Sequence, residues 1–414
     1  MVMKISSYIF TLLLLGATFS SCSHDSVYDP DQPEGEKVTD LKVPEGFDWE
    51  TSDNIRFSVV SAIKTKVSVF TDAECRNLIA TLPASGAGTV YNLEVGREVE
   101  NLYVQYPAAD GSTGVVSASL LRSKGNQEVT VKLPENVNPN KDGEEHQGVI
   151  YYPGNKKWGS VFFEDMWPKL GDYDFNDVAV WYQIQKYLSD EEENKVEGIL
   201  VAVQLSALGG LWPYQLGLQI EDLEADHIEI EYYETGKERG NGVYTVKNSG
   251  GKPVILFDWP DRKGSYGGKY YNTEEDFPVP YDEIEKDVIS FMIYPDEGIE
   301  VEKVNLYSFN FFIRNNSGTE IHLKGYKPTA DFEEEYHRIV SENDNLDPDH
   351  YYTSKDGFVW GLKVPDAISH AKEEVDFRKA YQHFGEWVTS NGKRFKNWYK
   401  DNEGHDYRIK VQKK

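Results

Sequence analysis

"FFEDMWPKLGDYDFNDVAVWY", residues 162–182, holds in one stretch the two features that decide how this chain is read. It ends in Val178-Ala179-Val180-Trp181-Tyr182, a β-branched and aromatic run of the kind that fills buried strands. Its middle crowds Asp172, Asp174, Asn176 and Asp177 together, with Tyr173 and Phe175 between them. Oxygen-bearing side chains packed so closely repel one another unless something satisfies them. On a locally extended backbone the alternation places the two aromatics on one face and Asp172, Asp174 and Asn176 on the other. Asp177 is then expected to turn back toward the same point, with Glu164 or Asp165 closing the group from the preceding strand.

Two readings of this cluster are open. Ca²⁺ takes six to eight oxygen ligands, and a tight loop of Asp and Asn supplies them. The D-x-D-x-N spacing matches the first ligand positions of an EF-hand, but Asp177 stands where that loop needs Gly and Gln183 where it needs Glu. The chain therefore carries no EF-hand, and the calcium reading is of a different loop, between strands. Mg²⁺ would demand a stricter octahedron, and Zn²⁺ would want the Cys or His that this stretch lacks. The other reading is a set of Asx-turns, in which the side chains bond nearby backbone amides.

Working outward, short β-branched and aromatic runs recur on both sides. "IRFSVVS", "KVSVF", "TVYNLEV", "ENLYVQYP", "GVVSASLL" and "QEVTVKL" follow one another with turn residues between them. They predict a small β-sandwich over residues 44–133, of fibronectin-like or immunoglobulin-like type by spacing alone. "PENVNPNKDGEEH", 134–146, is a linker in composition. Longer alternating runs follow, among them "DVAVWYQIQKY", "GILVAVQLSAL" and "NLYSFNFFIR", and predict a larger antiparallel β-sandwich over 147–414. One helix is expected near the end, where Val375, Ala380, Tyr381, Phe384, Trp387 and Val388 fit a 3.6-residue stripe that "SNG" at 390–392 terminates. The fold class is thus mainly β, two sandwiches with a C-terminal helix.

Residues 1–21 read as a signal peptide: Lys4 precedes an apolar run too short to span a bilayer, and small residues lead to Cys22. That ending resembles a lipobox, which makes Cys22 the expected lipidation site and the membrane the first partner. Residues 22–43 are polar and acidic, a flexible tether. With Cys22 lipidated, Cys75 has no partner for an intrachain disulfide. Removing residues 1–21 takes away one lysine and no acid, leaving 42 basic against 70 acidic residues. Such a surface argues against nucleic acid as a partner and in favour of cations or basic surfaces.

The opening stretch resembles the hallmark of LruC-type domains, found in lipoproteins of Gram-negative bacteria. Phe163, Glu164, Asp165, Trp167 and Pro168 match its F-E-D-x-W-P, and Gly171 to Asp177 its G-D-Y-D-F-N-D. "EIHLKGYKPT" is similar to a second patch through His322, Leu323, Gly325, Tyr326, Pro328 and Thr329, departing at Lys324 where proline is usual. The C-terminal "GLKVPDAISHAKEEVDFRKAYQHFGEWVTSNGKRFKNWY" resembles the family's ending, whereas "GGLWPYQLGLQI" departs from the strand entry expected there. Over residues 149–400 the resemblance implies an exported β-rich domain, often preceded by another, with no established enzymatic activity. The related D-F-N-D pattern, associated with calcium in other extracellular β-domains, adds weight to the calcium reading.

Elsewhere the chemistry-bearing residues are sparse. His322 lies beside Glu320 without a second histidine at metal-binding spacing, and no nucleophile elbow, Walker loop or dinucleotide turn is present. In "WPDRKGSYGGKYYNTEEDFPVPY", 259–281, Trp259, Tyr266, Tyr270 and Tyr271 are candidates to stack on a glycan or dock a protein, unless they fold back onto the sheet. The functional expectation is a lipid-anchored binding or adhesion module, displayed on the outer membrane or held in the periplasm, with a structural calcium loop. Its rival is a carbohydrate-active enzyme with two carboxylates facing each other across an aromatic cleft, roughly 5 to 9.5 Å apart.

Overall fold

The computed structural model describes residues 38–86, 88–120, 127–139, 148–210, 214–232, 242–262, 270–274, 278–401 and 405–409. Cys22, the expected signal peptide and Tyr266 lie outside them. Strands dominate, as the alternating runs require, and they form three sheets.

Seven strands come from the first segment. Ser52–Val60 lies between Val90–Gly96 and Gln127–Lys132 in a three-stranded sheet, antiparallel to the first and parallel to the second. Thr65–Phe70, Leu78–Ala84, Asn101–Pro107 and Thr113–Ser119 form the facing layer. That layer does not stop at the predicted linker. Leu78–Ala84 pairs with Val149–Tyr152, Ala80 opposite Ile150, so one twelve-stranded sheet runs through both halves of the described chain. The pairing covers an edge that would otherwise present unpaired amides and carbonyls to solvent.

The middle of this sheet is the expected hydrophobic strand, Val178–Leu188, flanked by Lys195–Ala207 on one side and by Gly159–Phe163 and Val149–Tyr152 on the other. A five-stranded sheet packs over it, in the order Val243–Ser249, Lys252–Asp258, Tyr214–Ile220, Phe309–Asn315 and Glu320–His322. Tyr182 meets Phe311 at 5.5 Å between rings, and Phe291 meets Phe257 at 5.9 Å. Between the small sheet and the large one Lys186 is fully buried, donating to the carbonyls of Asn92 (3.3 Å) and Val304 (2.9 Å) and to the Tyr152 hydroxyl (2.8 Å).

Apart from half-buried Val375, which precedes the helices, the C-terminal stripe is buried, but not as one helix. Phe377–Ala380 and Phe384–Thr389 are separate short helices, because Tyr381 adopts an extended backbone (φ −131°, ψ 91°). This conformation lets the Tyr381 ring pack between Trp398 and the Arg408 guanidinium, at 5.3 and 3.7 Å. The cluster also takes in the first segment: Trp387 packs edge-on against Phe47 at 4.9 Å and Trp49 at 6.1 Å. The longest helix among the described residues is one not anticipated, Glu333–Glu342, which buries Tyr336 against Trp167. None of these helices is long and apolar enough to cross a membrane.

Candidate metal centre

Residues 164–177 connect Gly159–Phe163 to Val178–Leu188, which pair antiparallel with Phe163 opposite Val178. Both ends of the acidic segment are therefore fixed at one point, and the Asp165 amide donates to Asp177 Oδ2 at 2.7 Å. Between these ends the backbone is not extended, contrary to expectation. Gly171, Tyr173 and Phe175 all have positive φ, at 73°, 66° and 56°. Alternating left-handed residues turn successive N–H groups inward, making a concavity that accepts an anion. Here the anion is Glu164, whose carboxylate accepts from the amides of Tyr173 (3.2 Å) and Phe175 (2.5 Å). Gly171 is needed twice over, for its φ and because a Cβ there would lie 2.8 Å from Glu164 Oε2.

The unusual conformation of Tyr173 and Phe175 is held by packing. Both are buried; their rings lie 4.5 Å apart, with Phe358 5.6 Å from Tyr173 and Phe377 5.4 Å from Phe175. The aromatics thus anchor the loop in the core as the alternation suggested, although by a different backbone.

The predicted ligands divide into two groups. Glu164, Asp172 and Asp174 each bring one carboxylate oxygen to within 4.8 Å of the others; the first and last are buried and Asp172 is exposed. Asp174 also makes Asx-type bonds, accepting from the Asn176 amide (3.0 Å), Asn176 Nδ2 (2.7 Å) and the Glu374 amide (2.9 Å). Asn176, fully buried, points its Oδ1 elsewhere, and that oxygen has no hydrogen-bond partner among the described residues. It faces Gly209: a Cβ there would collide with Asn176 Oδ1 and sit 3.0 Å from Glu373 Oε2, another buried oxygen with no such partner. Next to it, Asp165 Oδ2 lies 2.6 Å from where a Cβ on Gly210 would be. The glycine pair leaves a small space walled by oxygens.

Electrostatics make the group costly as it stands. Burial holds Glu164 well above the usual carboxylate range, and Asp177 and Asp172 add to it. Burial does the same to Asp174, helped by Asp172 and Glu164, and to Asp177, helped by Asp165. Glu373 is pushed up to about 8, by burial first and then by Asp172. Among the described residues no lysine, arginine or histidine forms an ion pair with Glu164, Asp172, Asp174, Asp177 or Glu373. Clustered buried carboxylates either stay protonated or need a cation. An all-oxygen set of carboxylates and an amide suits a hard divalent ion.

Glu373 escaped notice in the sequence, since nothing in "HAKEEVDF" marks a ligand and the C-terminal segment meets the loop only through the fold. It arrives with Ala371, whose carbonyl faces Asn176 Nδ2 at 3.5 Å, and with Thr273, whose carbonyl accepts the Glu373 amide. The aromatic candidates fare unevenly. Trp259 and Tyr271 are buried, the Trp259 indole N–H donating to the Asp287 carbonyl and the Tyr271 hydroxyl to the Asp287 carboxylate, which leaves neither a face for a ligand. Tyr270 is half-buried beside the acidic group, where Glu373, Asp177 and Asp165 add to the effect of burial in raising its hydroxyl pKa. His322 is a core residue, between Asn310 Oδ1 (2.8 Å) and Glu320 Oε2 (3.1 Å).

Residues 194–399 match a protein-family model described as "Domain of unknown function (DUF4842)", a span that starts after the acidic loop and includes Gly209, Gly210 and Glu373. No curated protein matches the chain. A solved structure described as a "Putative lipoprotein from Bacteroides ovatus" is similar at 22% identity, covering 84% of this chain and 100% of that one with a TM-score of 0.65. At that identity the likeness is one of fold, and the architecture described above is thus shared with a protein of known structure.

Proposed function

We propose that this chain is a lipid-anchored envelope protein of LruC type, a binding or adhesion module whose acidic loop is locked by calcium. One observation carries the calcium reading: Glu164, Asp172 and Asp174 converge within 4.8 Å, two of them buried, with no ion-paired basic side chain among the described residues. The oxygens of Asn176 and Glu373 beside Gly209 support it, as does the all-oxygen chemistry. A cation there would tie the loop to the C-terminal segment and stabilise the fold. The irregular loop suits the adaptable coordination of calcium better than the octahedron of magnesium. Anchoring rests on the lipobox-like approach to Cys22 and agrees with the lipoprotein description of the structural neighbour. A binding role rests on the same resemblance and on the absence of any catalytic motif in the sequence.

Titration calorimetry on chelator-stripped protein tests the cation. Calcium should bind at a defined stoichiometry, more tightly than magnesium, and zinc should not compete. Absence of heat or of calcium retention after dialysis would return the cluster to hydrogen-bonded Asx-turns. Anchoring is tested by mass spectrometry of the mature N-terminus: acylated Cys22 is expected, and an unmodified start elsewhere would remove the anchor from the account. External protease should reach the protein on intact cells if it is surface-displayed.

A further inference from the structure

The Asn176 side chain divides the acidic cluster into two sets of oxygens. Its Nδ2 faces groups that only accept, Asp174 Oδ2 at 2.7 Å and the Ala371 carbonyl at 3.5 Å, so the amide nitrogen belongs on that side. Its Oδ1 therefore looks away from Asp174 and toward Gly209. Asn176 is fully buried, and this oxygen has no hydrogen-bond partner among the described residues. An acceptor left unsatisfied in the interior is costly, which points to something that fills the space in front of it.

What surrounds that space narrows the choice. A Cβ on Gly209 would overlap Asn176 Oδ1 and lie 3.0 Å from Glu373 Oε2 and 3.1 Å from the Asn176 carbonyl oxygen. Three oxygens thus face one point, near enough to share an ion whose ligands sit at about 2.3–2.6 Å. The carbonyl accepts the Gly209 amide at 3.1 Å and keeps a second lone pair. The Thr273 hydroxyl, also buried, stands beside the Glu373 carboxylate without closing a hydrogen bond to it. A water molecule would satisfy these oxygens as acceptors, but it would leave the Glu373 charge uncompensated. Among the described residues no basic side chain forms an ion pair with Glu373. We infer that the space at Gly209 holds a second hard divalent cation, separate from the one at Glu164, Asp172 and Asp174, with Asn176 Oδ1, Glu373 and the Asn176 carbonyl as its protein ligands. It would tie the acidic loop to residues 209–210 and to the C-terminal segment. This rests on the calcium reading of the loop, because Asp174 orients Asn176 through Nδ2 and through its amide at 3.0 Å, and holds the Glu374 amide next to Glu373.

The test counts ions. Chelator-stripped full chain is brought to equilibrium by dialysis against a range of free calcium in physiological salt, and bound metal is measured by elemental analysis. Two calcium ions per chain are expected. Glu373→Gln keeps an oxygen but removes the charge, and should hold one ion while its melting temperature still rises with calcium. Asp174→Ala, which releases Asn176 as well as the first set, should hold none. One ion in the wild type would overturn the inference and leave Glu373 to share a proton with Asn176. If Asp174→Ala loses that single ion, the loop keeps its calcium reading; if the wild type holds no ion, both fail. Two ions retained by Glu373→Gln would also overturn the inference. The wild-type count decides the matter even where a variant does not fold.

Discussion

Replacing Trp387 by alanine is a sharp test of how the two ends of the described chain are joined. Trp387 is 1% exposed, and its ring touches Phe47 and Trp49 from the first segment and Phe384 and Trp398 from the last. A tryptophan buries about 150–250 Å², and at about 25 cal/mol per Å² the transfer term alone is ~4–6 kcal/mol. Alanine retains a little of that and the site relaxes in part, so the expected cost is about 3–5 kcal/mol. Urea denaturation followed by near-UV circular dichroism should show a lower midpoint with an unchanged slope. The cost should fall well short of additivity when Trp49→Ala is combined with it, since the two rings share one cavity. A change below about 0.5 kcal/mol, or full additivity, would mean that this cluster does not hold the segments together.

Further expectations follow from particular residues. Lys186 sits in the core with its pKa lowered by burial from 10.5 to about 7. Between those values the unfolded chain binds the proton and the folded chain does not, so stability should rise with pH over that window. Lys186→Met should flatten the slope; equal slopes in both proteins would mean that the lysine stays charged in its ring of acceptors. Gly171→Ala puts a side chain at φ +73° against Glu164 and should lower the melting temperature, whereas an unchanged value would mean that the loop does not hold its carboxylate as described. Asn176→Leu, which removes one of the oxygens facing Gly209, should weaken calcium binding more than Asp406→Asn on the exposed surface does, as read by calorimetry.

The strands were legible because their chemistry is local. Val178–Leu188 and Lys195–Ala207 carry their β-branched runs in plain view, and the turn residues between strands mark their ends. The shared sheet was not, because the pairing of Ala80 with Ile150 is a matter of register between two runs that each look complete alone. The helix Glu333–Glu342 left a trace in Phe332, Tyr336, Ile339 and Val340, but three consecutive glutamates obscured it. The predicted C-terminal helix failed at Tyr381, whose ring is better used between Trp398 and Arg408 than on a helical face.

In the acidic loop, residue types pointed to the chemistry and geometry escaped. Tyr173 and Phe175 in left-handed conformation run against the preference of bulky side chains, and the packing around Phe358 and Phe377 sustains it together with the hydrogen bonds of their amides to Glu164. Glu374 bonds Asp174 from 200 residues away, and Glu373 beside it shares that distance from any local motif.

The most direct measurement of the central claim is the melting temperature of metal-free protein against calcium concentration, for the wild type and for Asp174→Ala. Binding to the folded state alone adds RT ln(1 + [Ca²⁺]/Kd), about 2.7 kcal/mol at a hundredfold excess over Kd. The wild type should therefore climb steadily with calcium and barely respond to magnesium at the same concentration. Asp174→Ala should start lower and stay flat. Identical melting curves in calcium and in chelator, from wild-type protein shown to be metal-free at the start, would contradict the account and leave the carboxylates to their hydrogen bonds.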